Sequence, residues 1–196
     1  TEAEFVFMCL PTPQGEDGSA DLSYLLGAAN EISSFLPFGT VVINKSTVPV
    51  GSAKKVAKVI GREDVLVASN PEFLREGSAV YDFLNPSRVV IGAHTETTAQ
   101  RVASLYASVD APIVITGTTE AELTKYAANA YLAMRLSYVN NMSELAERLG
   151  ANAHEVLRAM GLDPRIGPHF LVPGPGWGGS CFPKDVQAID AIARSV

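Results

Sequence analysis

The chain has 196 residues, of which 47% are hydrophobic and 18% are charged, and its formal net charge is -6. This composition is typical of a soluble globular protein with enough apolar residues for a core. The negative charge argues against a nucleic-acid partner, which calls for a basic surface. No apolar run approaches the ~18 residues of a membrane span, so we expect no membrane partner.

The chain has only two cysteines, Cys9 and Cys181, and three scattered histidines. This number and spacing fit neither a zinc site nor a disulfide framework. We therefore expect no bound metal, two free thiols and a reducing, cytoplasmic location.

Apolar strands alternate with amphipathic helices over residues 1–117, with a helix predicted after Asp21. The predicted strands span 4–10, 40–44, 64–69, 88–93 and 112–116, and further helices span 52–60 and 97–109. The pattern predicts an α/β fold with a doubly wound, Rossmann-like parallel sheet covered on both faces. Ligands bind beyond the carboxyl ends of such strands, where the loops at 11–13, 44–49 and 69–77 follow.

Residues 118–150 contain no proline and no internal glycine, and they predict one long helix of about 45 Å. Its apolar residues fall on more than one face, so we expect it to link domains or to pack against a partner subunit. A helix at 153–160, a loop at 161–183 and a last helix at 184–194 follow. The chain therefore divides into an α/β part, 1–117, and a helical part, 118–196.

The Gly-rich turn between a strand and a helix that marks dinucleotide binding is not found before the first strand or after it. The sequence therefore predicts that the chain begins in the middle of an α/β domain.

Three polar pairs recur with a spacing of four residues, which on helical backbone places both members on one face. The pairs are Glu72 and Glu76, Lys125 and Asn129, and Cys181 and Asp185. Two glutamates at this spacing are usually solvated surface. Lys125 is flanked by small and aromatic residues, so a buried lysine is predicted there, and it needs an anionic partner or a pocket.

Cys181 follows a glycine-rich run and precedes Pro183, which is typical of the first turn of a helix. A thiolate, the reactive form of cysteine, is favoured near a helix N-terminus and near a cation such as Lys184. The preceding glycines let backbone approach a ligand. We interpret Trp177, the only tryptophan, as a loop anchor.

Seven segments in order resemble the UDP-glucose 6-dehydrogenase family. They are FVFMCLPTPQGEDGSADL, NKSTVPVG, SNPEFLREG, DFLNPSRVVIG, ELTKYAANAYLA, DPRIGPHFL and PGWGGSCFPKD. The resemblance implies an NAD-dependent enzyme that oxidises a sugar alcohol twice to a carboxylate and supplies UDP-glucuronate for polysaccharide biosynthesis. It implies that 1–117 is the second part of an NAD-binding domain, without its Gly-rich half. It also implies that 118–196 is a central helical dimerisation domain. Because the Gly-rich turn that normally holds the pyrophosphate is missing, we expect the chain alone to be an inactive dimer.

The resemblance also assigns catalytic roles. Cys181 matches the nucleophile that forms a thiohemiacetal and then a thioester. Lys125 and Asn129 match groups that stabilise the oxyanion. Asp185 and Thr47 match groups that position or activate water, and Glu72 matches a general acid or base.

The resemblance further assigns the binding residues. Those matching cofactor contacts are Leu10, Pro11, Thr12, Pro13, Ser46, Thr47, Val48, Glu76 and Lys184. Those matching substrate contacts are Glu72, Phe73, Leu74, Arg75, Glu76, Lys125, Asn129, Arg165, Val172, Pro173, Gly174, Pro175, Gly176, Trp177 and Gly178. Arg165 matches an arginine that reaches the substrate of a neighbouring subunit, so the long helix is expected to form a homodimer.

Three alternatives remain open. The same chemistry could act on GDP-mannose or a UDP-amino sugar. A hydroxyacid dehydrogenase of related fold would oxidise once and would not need the cysteine. A catalytically silent dimerisation or core module would need none of these residues.

Overall fold

The computed structural model describes residues 2–15 and 18–196. Thr1 lies outside the described residues, and so do Glu16 and Asp17 of the loop predicted at 14–21. Internal contacts divide the chain into two units, Thr1–Tyr126 and Ala127–Val196. This boundary falls inside the long helix, and the predicted domain division at 117/118 stays a prediction.

The first unit contains every predicted strand. The strands are β1 Phe5–Met8, β2 Val41–Asn44, β3 Leu66–Ser69, β4 Val89–Ala93 and β5 Ile113–Thr116. The helices are α1 Ser23–Ile32, α2 Ser52–Ile60, α3 Ala79–Leu84 and α4 Glu96–Ser104, and α5 Thr118–Arg148 begins in this unit.

The sheet has the order β1-β2-β3-β4-β5 and is mostly parallel. The doubly wound, Rossmann-like class predicted from the sequence is confirmed. The prediction of an entirely parallel sheet is wrong, because β4 runs antiparallel to β3 over two residue pairs, Ala68 with Ala93 and Ser69 with Gly92. An apolar strand pairs in either direction, and the path of the connection at 70–88 sets the direction here.

The core lies on both faces of the sheet because β2 is apolar on both sides and fully buried. Val42 packs with Leu25 and Val56 on the α1–α2 side. On the α4 side, Val41 and Ile43 belong to the other cluster. This double burial explains why the strand is a continuous apolar run rather than an alternating one.

Coverage on both faces does not extend to β5, where Ile113, Val114 and Ile115 are 37%, 47% and 39% exposed. β5 is an edge strand, so it lacks one neighbour in the sheet. The helix predicted at 97–109 ends earlier, at Ser104, because turns follow it and place Tyr106 in the core. α3 was not predicted, because its six residues are mostly apolar and show no helical periodicity.

Gly92 allows the first turn of α5 to approach β4. A Cβ on Gly92 would lie 2.6 Å from the Ala121 Cβ and 2.6 Å from the Gly117 carbonyl oxygen. Both distances are shorter than packed atoms allow, so the start of α5 lies closer to β4 than a side chain at residue 92 would permit.

The second unit holds the rest of α5 with α6 Ala153–Gly161 and α7 Phe182–Arg194. Its core contains Val139, Leu157 and Leu171. α7 begins two residues earlier than predicted because Pro183 lies inside its first turn. Across the described residues, none of the helices has both the length and the apolar character that a membrane crossing requires.

Candidate active site

The loops that follow β1 and β2 are bonded to each other. The Ser46 Oγ accepts from the Leu10 N–H at 2.7 Å and donates to the Leu10 carbonyl at 2.6 Å. The Thr12 hydroxyl donates to the Thr47 carbonyl at 2.8 Å. Residues predicted as cofactor contacts therefore lie together at the carboxyl ends of two parallel strands. Pro11 and Pro13 are exposed beside the buried Thr12, and Val48 is buried.

The loop after β3 brings Glu72 to Lys125. The Lys125 Nζ donates to the Glu72 Oε1 at 3.0 Å, and the Glu72 Oε2 accepts from the Leu74 N–H at 2.6 Å. Lys125 is only 4% exposed. The prediction that this lysine is buried and needs an anion is confirmed, and Glu72 is that anion. The interpretation of Glu72 as a solvated surface residue is therefore wrong, because it pairs with a buried lysine.

Phe73, next to Glu72, contacts two cations through its ring. The Lys125 Nζ lies 5.4 Å from the ring centroid and the Arg88 guanidinium 3.7 Å from it. Burial lowers the pKa of Arg88. The ring of Phe73 thus supports the position of Lys125.

Arg75 and Glu76 are exposed and are not part of this ion pair. The Arg75 guanidinium donates to Asp82 at 2.7 and 3.0 Å, and it holds the pKa of that carboxyl well below its usual range. Arg75 therefore stabilises the loop before α3, and its predicted contact with substrate stays a prediction.

A cluster formed by the half-buried Lys45 and the buried Asn70 and Tyr106 was missed from the sequence. The Lys45 Nζ donates to the Asn70 Oδ1 at 2.9 Å and to the Tyr106 hydroxyl at 3.3 Å. Burial lowers the pKa of Lys45 to about 8, while Glu72 and Cys9 act in the opposite direction. Lys45 and Asn70 lie inside segments that carry the family resemblance, and this was the available signal.

In the second unit, Asp185 is fully buried, and its carboxylate accepts one hydrogen bond from an amide and one from an ammonium group. The Asn129 Nδ2 donates to its Oδ2 at 2.6 Å, and the Lys184 Nζ donates to its Oδ1 at 2.6 Å. Three residues predicted for the site are thus brought together. The lysine and the amide compensate the burial of the carboxylate.

Cys181 is exposed and free and lies at the residue before α7, as predicted. Its Sγ lies 3.6 Å from the Ser180 Oγ, and its carbonyl accepts from the Asp185 N–H at 2.9 Å. The thiol therefore lies at the positive end of the helix dipole, one turn before the buried Asp185. Cys9 is the other free cysteine and is also exposed.

The loop from Val172 to Gly178 is mostly exposed, and α5 anchors it at two points. The Trp177 indole donates to the Ser137 Oγ at 2.8 Å, and the Asn140 Oδ1 accepts from the Gly174 N–H at 2.9 Å. The interpretation of Trp177 as an anchor is confirmed. The exposed members of the loop are Val172, Gly174, Pro175, Gly176, Trp177 and Gly178, and Pro173 is half-buried.

Arg165 pairs with Asp163 at 2.6 Å, and its side chain is 87% exposed. Its predicted contact with the substrate of another subunit stays a prediction. Within the described ranges, no three His, Cys, Asp or Glu side chains are grouped as a metal site would require.

Two family models match the chain in sequence. Residues 1–110 match the NAD binding domain of the UDP-glucose/GDP-mannose dehydrogenase family, and residues 119–196 match its central domain. The chain belongs to the UDP-glucose/GDP-mannose dehydrogenase family. The match assigns NAD as the cofactor of residues 1–110.

Individual members of the family show how similar the chain is. A UDP-glucose 6-dehydrogenase of Pseudomonas aeruginosa is 47% identical and matches 96% of this chain and 44% of its own length. A solved UDP-glucose dehydrogenase of Pyrobaculum islandicum is 44% identical, with a TM-score of 0.91 over 98% of this chain and 46% of that one. A solved UDP-D-ManNAc dehydrogenase of Pyrococcus horikoshii is 30% identical, with a TM-score of 0.85 over 95% of this chain and 46% of that one. The chain thus spans less than half the length of these relatives.

The donor set of the first unit fits part of a dinucleotide. Thr12, Ser46 and Thr47 place hydroxyl and backbone groups at the carboxyl ends of β1 and β2, where NAD binds in this fold. The start of α2 does not serve the pyrophosphate, because the Gly51 and Ala53 N–H groups already donate to the Glu122 carboxylate at 2.6 and 2.8 Å. The loops after β1 and β2, and not the start of α2, are therefore the part of this unit that would hold a dinucleotide.

Proposed function

We propose that the complete protein that carries this chain is an NAD-dependent UDP-glucose 6-dehydrogenase. Such an enzyme oxidises the C6 alcohol of UDP-glucose to the carboxylate of UDP-glucuronate. The observation that carries the proposal is the free, exposed Cys181 at the start of α7, with the buried carboxylate of Asp185 one turn later. A two-step oxidation needs a nucleophile that retains the aldehyde, whereas a single oxidation does not.

Held by the loops after β1 and β2, NAD⁺ would supply the hydride acceptor for each of the two oxidations. Between them, the Cys181 thiolate forms a C–S bond with the aldehyde carbon, and the carbonyl oxygen takes up a proton to give a thiohemiacetal. The second oxidation removes a hydride and this proton to give a thioester. Water then attacks the thioester carbon, and the C–S bond breaks to release the thiolate and the carboxylate. The sum consumes two NAD⁺ and one water and yields two NADH and three protons.

The charged residues of the first unit suit the oxygen chemistry. The Lys125 ammonium can stabilise the negative charge on the reacting oxygen. Glu72 accepts a proton from Lys125 across their 3.0 Å contact or from the attacking water. We propose Thr47 and Asp185 as groups that position this water, with Asn129 and Lys184 holding Asp185.

The choice of sugar nucleotide rests on similarity. Identity to UDP-glucose enzymes is 47% and 44%, against 30% to the UDP-D-ManNAc enzyme. These figures favour UDP-glucose over a UDP-amino sugar. A solved GDP-mannose dehydrogenase of Pseudomonas aeruginosa is also 30% identical, so the same comparison favours UDP-glucose over GDP-mannose.

The proposal is tested by the yield of NADH per sugar nucleotide in the complete protein. With UDP-glucose limiting and NAD⁺ in excess, we expect two NADH and one UDP-glucuronate per molecule consumed. Parallel reactions with GDP-mannose and UDP-D-ManNAc are the controls for specificity. A yield of one NADH with release of the aldehyde would contradict the two-step chemistry, and turnover of another nucleotide alone would reassign the substrate.

We also propose that the chain forms a homodimer through α5. Four apolar side chains of α5 in the second unit are 47–57% exposed, and their spacing places them on one side of the helix. They are Tyr131, Met134, Tyr138 and Leu145. An apolar stripe of this kind is typical of a subunit interface, and a twofold mate is the commonest partner. A cytoplasmic location would keep the Cys181 thiol reduced.

The dimer is tested by light scattering coupled to size exclusion. We expect a mass of twice the 20.8 kDa of the chain, and the Tyr138→Glu variant should be a monomer, because it places a charge in the stripe. Glu147→Lys, on the opposite side of the same helix, is the control and should remain a dimer. A parent chain that elutes as a monomer at micromolar concentrations would refute this interface.

A further inference from the structure

Glu122 is a buried carboxylate that the proposed chemistry does not use. It lies on α5 and is 2% exposed. Its Oε2 accepts from the Gly51 N–H at 2.6 Å, and its Oε1 accepts from the Ala53 N–H at 2.8 Å and from the Ser69 hydroxyl at 3.1 Å. One side chain therefore joins α5 to the start of α2 and to the end of β3.

This contact replaces an ordinary helix cap. A Ser, Thr, Asp or Asn side chain usually caps the start of a helix, whereas the capping position before α2 is Gly51, which has no side chain. The anion comes instead from a residue 71 positions further along the chain. Burial raises the pKa of Glu122, although the hydrogen bonds from Ala53, Gly51 and Ser69 oppose that shift.

The three elements joined by Glu122 each lead directly to a residue of the proposed site. The start of α2 follows the loop that contains Thr47, and Ser69 lies three residues before Glu72. On α5, Lys125 follows Glu122 by three residues, which is close to one helical turn. The Lys125–Glu72 ion pair of 3.0 Å therefore lies between two segments that Glu122 connects.

We propose that Glu122 is a positioning residue that holds Lys125 and Glu72 in place relative to the Thr47 loop. The proposal rests on the proposed function, because it assigns Glu122 a purpose in that reaction. Its carboxylate also occupies the Gly51 and Ala53 N–H groups at the start of α2, where a phosphate would otherwise bind. A shift of Lys125 by a fraction of a helical turn would misplace its charge relative to the reacting oxygen.

The first test is the Glu122→Gln variant of the complete protein. The amide oxygen can still accept from Ala53 and Ser69, but the amide nitrogen faces the Gly51 N–H, so that bond and the negative charge are lost. We expect kcat to fall about 10- to 100-fold with little change in KM for UDP-glucose. Glu120→Gln, at an exposed glutamate of the same helix, is the matched control and should retain the parent kcat.

A double-mutant cycle separates positioning from general destabilisation. If Glu122 acts through Lys125, Glu122→Gln should have almost no further effect on kcat in a Lys125→Ala background. The same fold-change in both backgrounds would overturn the proposal, and so would an unchanged kcat in the single variant. If Glu122→Gln does not fold, Glu122→Asp, which keeps the charge but shortens the side chain, replaces it in the same cycle.

Amide hydrogen exchange gives a readout that does not depend on activity. In Glu122→Gln, we expect faster exchange in peptides that cover 45–53 and 69–76, and unchanged exchange in a peptide that covers 89–104. Unchanged exchange in the first two peptides would overturn the proposal even if activity falls. If the parent protein does not oxidise a nucleotide sugar, the proposed function fails, and the exchange data alone decide whether Glu122 holds these segments.

Discussion

The Cys181→Ser variant is expected to lose UDP-glucuronate formation by about three orders of magnitude, or about 4 kcal/mol of transition-state stabilisation. The hydroxyl of serine is a much weaker nucleophile than a thiolate at neutral pH, so the covalent steps fail. The first hydride transfer does not use the sulfur, and it should continue in part. The measurement compares NADH release with UDP-glucuronate formed, in single-turnover and steady-state reactions.

Cys9→Ser is the matched control, because Cys9 is the other free and exposed cysteine of the chain. We expect this variant to form UDP-glucuronate at close to the parent rate. Normal acid production by Cys181→Ser would refute the thioester mechanism. An equal loss in both variants would point to a general effect of removing a thiol instead.

Lys125→Ala is expected to lower kcat by about 10²- to 10³-fold, the loss found when one donor to a developing oxyanion is removed. The variant also removes the ammonium group that donates to the Glu72 Oε1, whereas the Glu72 Oε2 still accepts from the Leu74 N–H. Because the charge on the reacting oxygen develops in the transition state, KM for UDP-glucose should change little. Steady-state kinetics with both substrates give the two parameters separately.

Lys54→Ala, at an exposed lysine of α2, is the control for loss of one positive charge. It should leave both kinetic parameters close to those of the parent. A Lys125→Ala variant with unchanged kcat and raised KM would reassign Lys125 to ground-state binding of the substrate.

Part of the candidate site could be predicted from residue types and spacing alone. The small and aromatic neighbours of Lys125 indicated that it is buried and needs an anion, and Glu72 meets that need at 3.0 Å. The glycines before Cys181 and the proline after it indicated a thiol at a helix start, which the structure also has. Both predictions depend on signals within a few residues of the side chain concerned.

Other parts of the site could not be predicted because they depend on long-range contacts. The bond between Lys45 and Tyr106 joins residues 61 positions apart, and the bond between Glu122 and Gly51 joins residues 71 positions apart. Neither pair has a spacing that a helix or strand period would reveal. The cap of α2 was also hidden, since Gly51 itself shows no capping side chain.

The sequence by itself determined the alternation of strands and helices, the long helix α5 and the free thiol before α7, because apolar periods, prolines and glycines act over short distances. Only the tertiary structure decided the antiparallel direction of β4, the exposure of β5 and the carboxylate that caps α2. The physical reason is that strand direction and buried charge pairing depend on the path of the chain between elements. An apolar strand or a lone glutamate is compatible with several such paths.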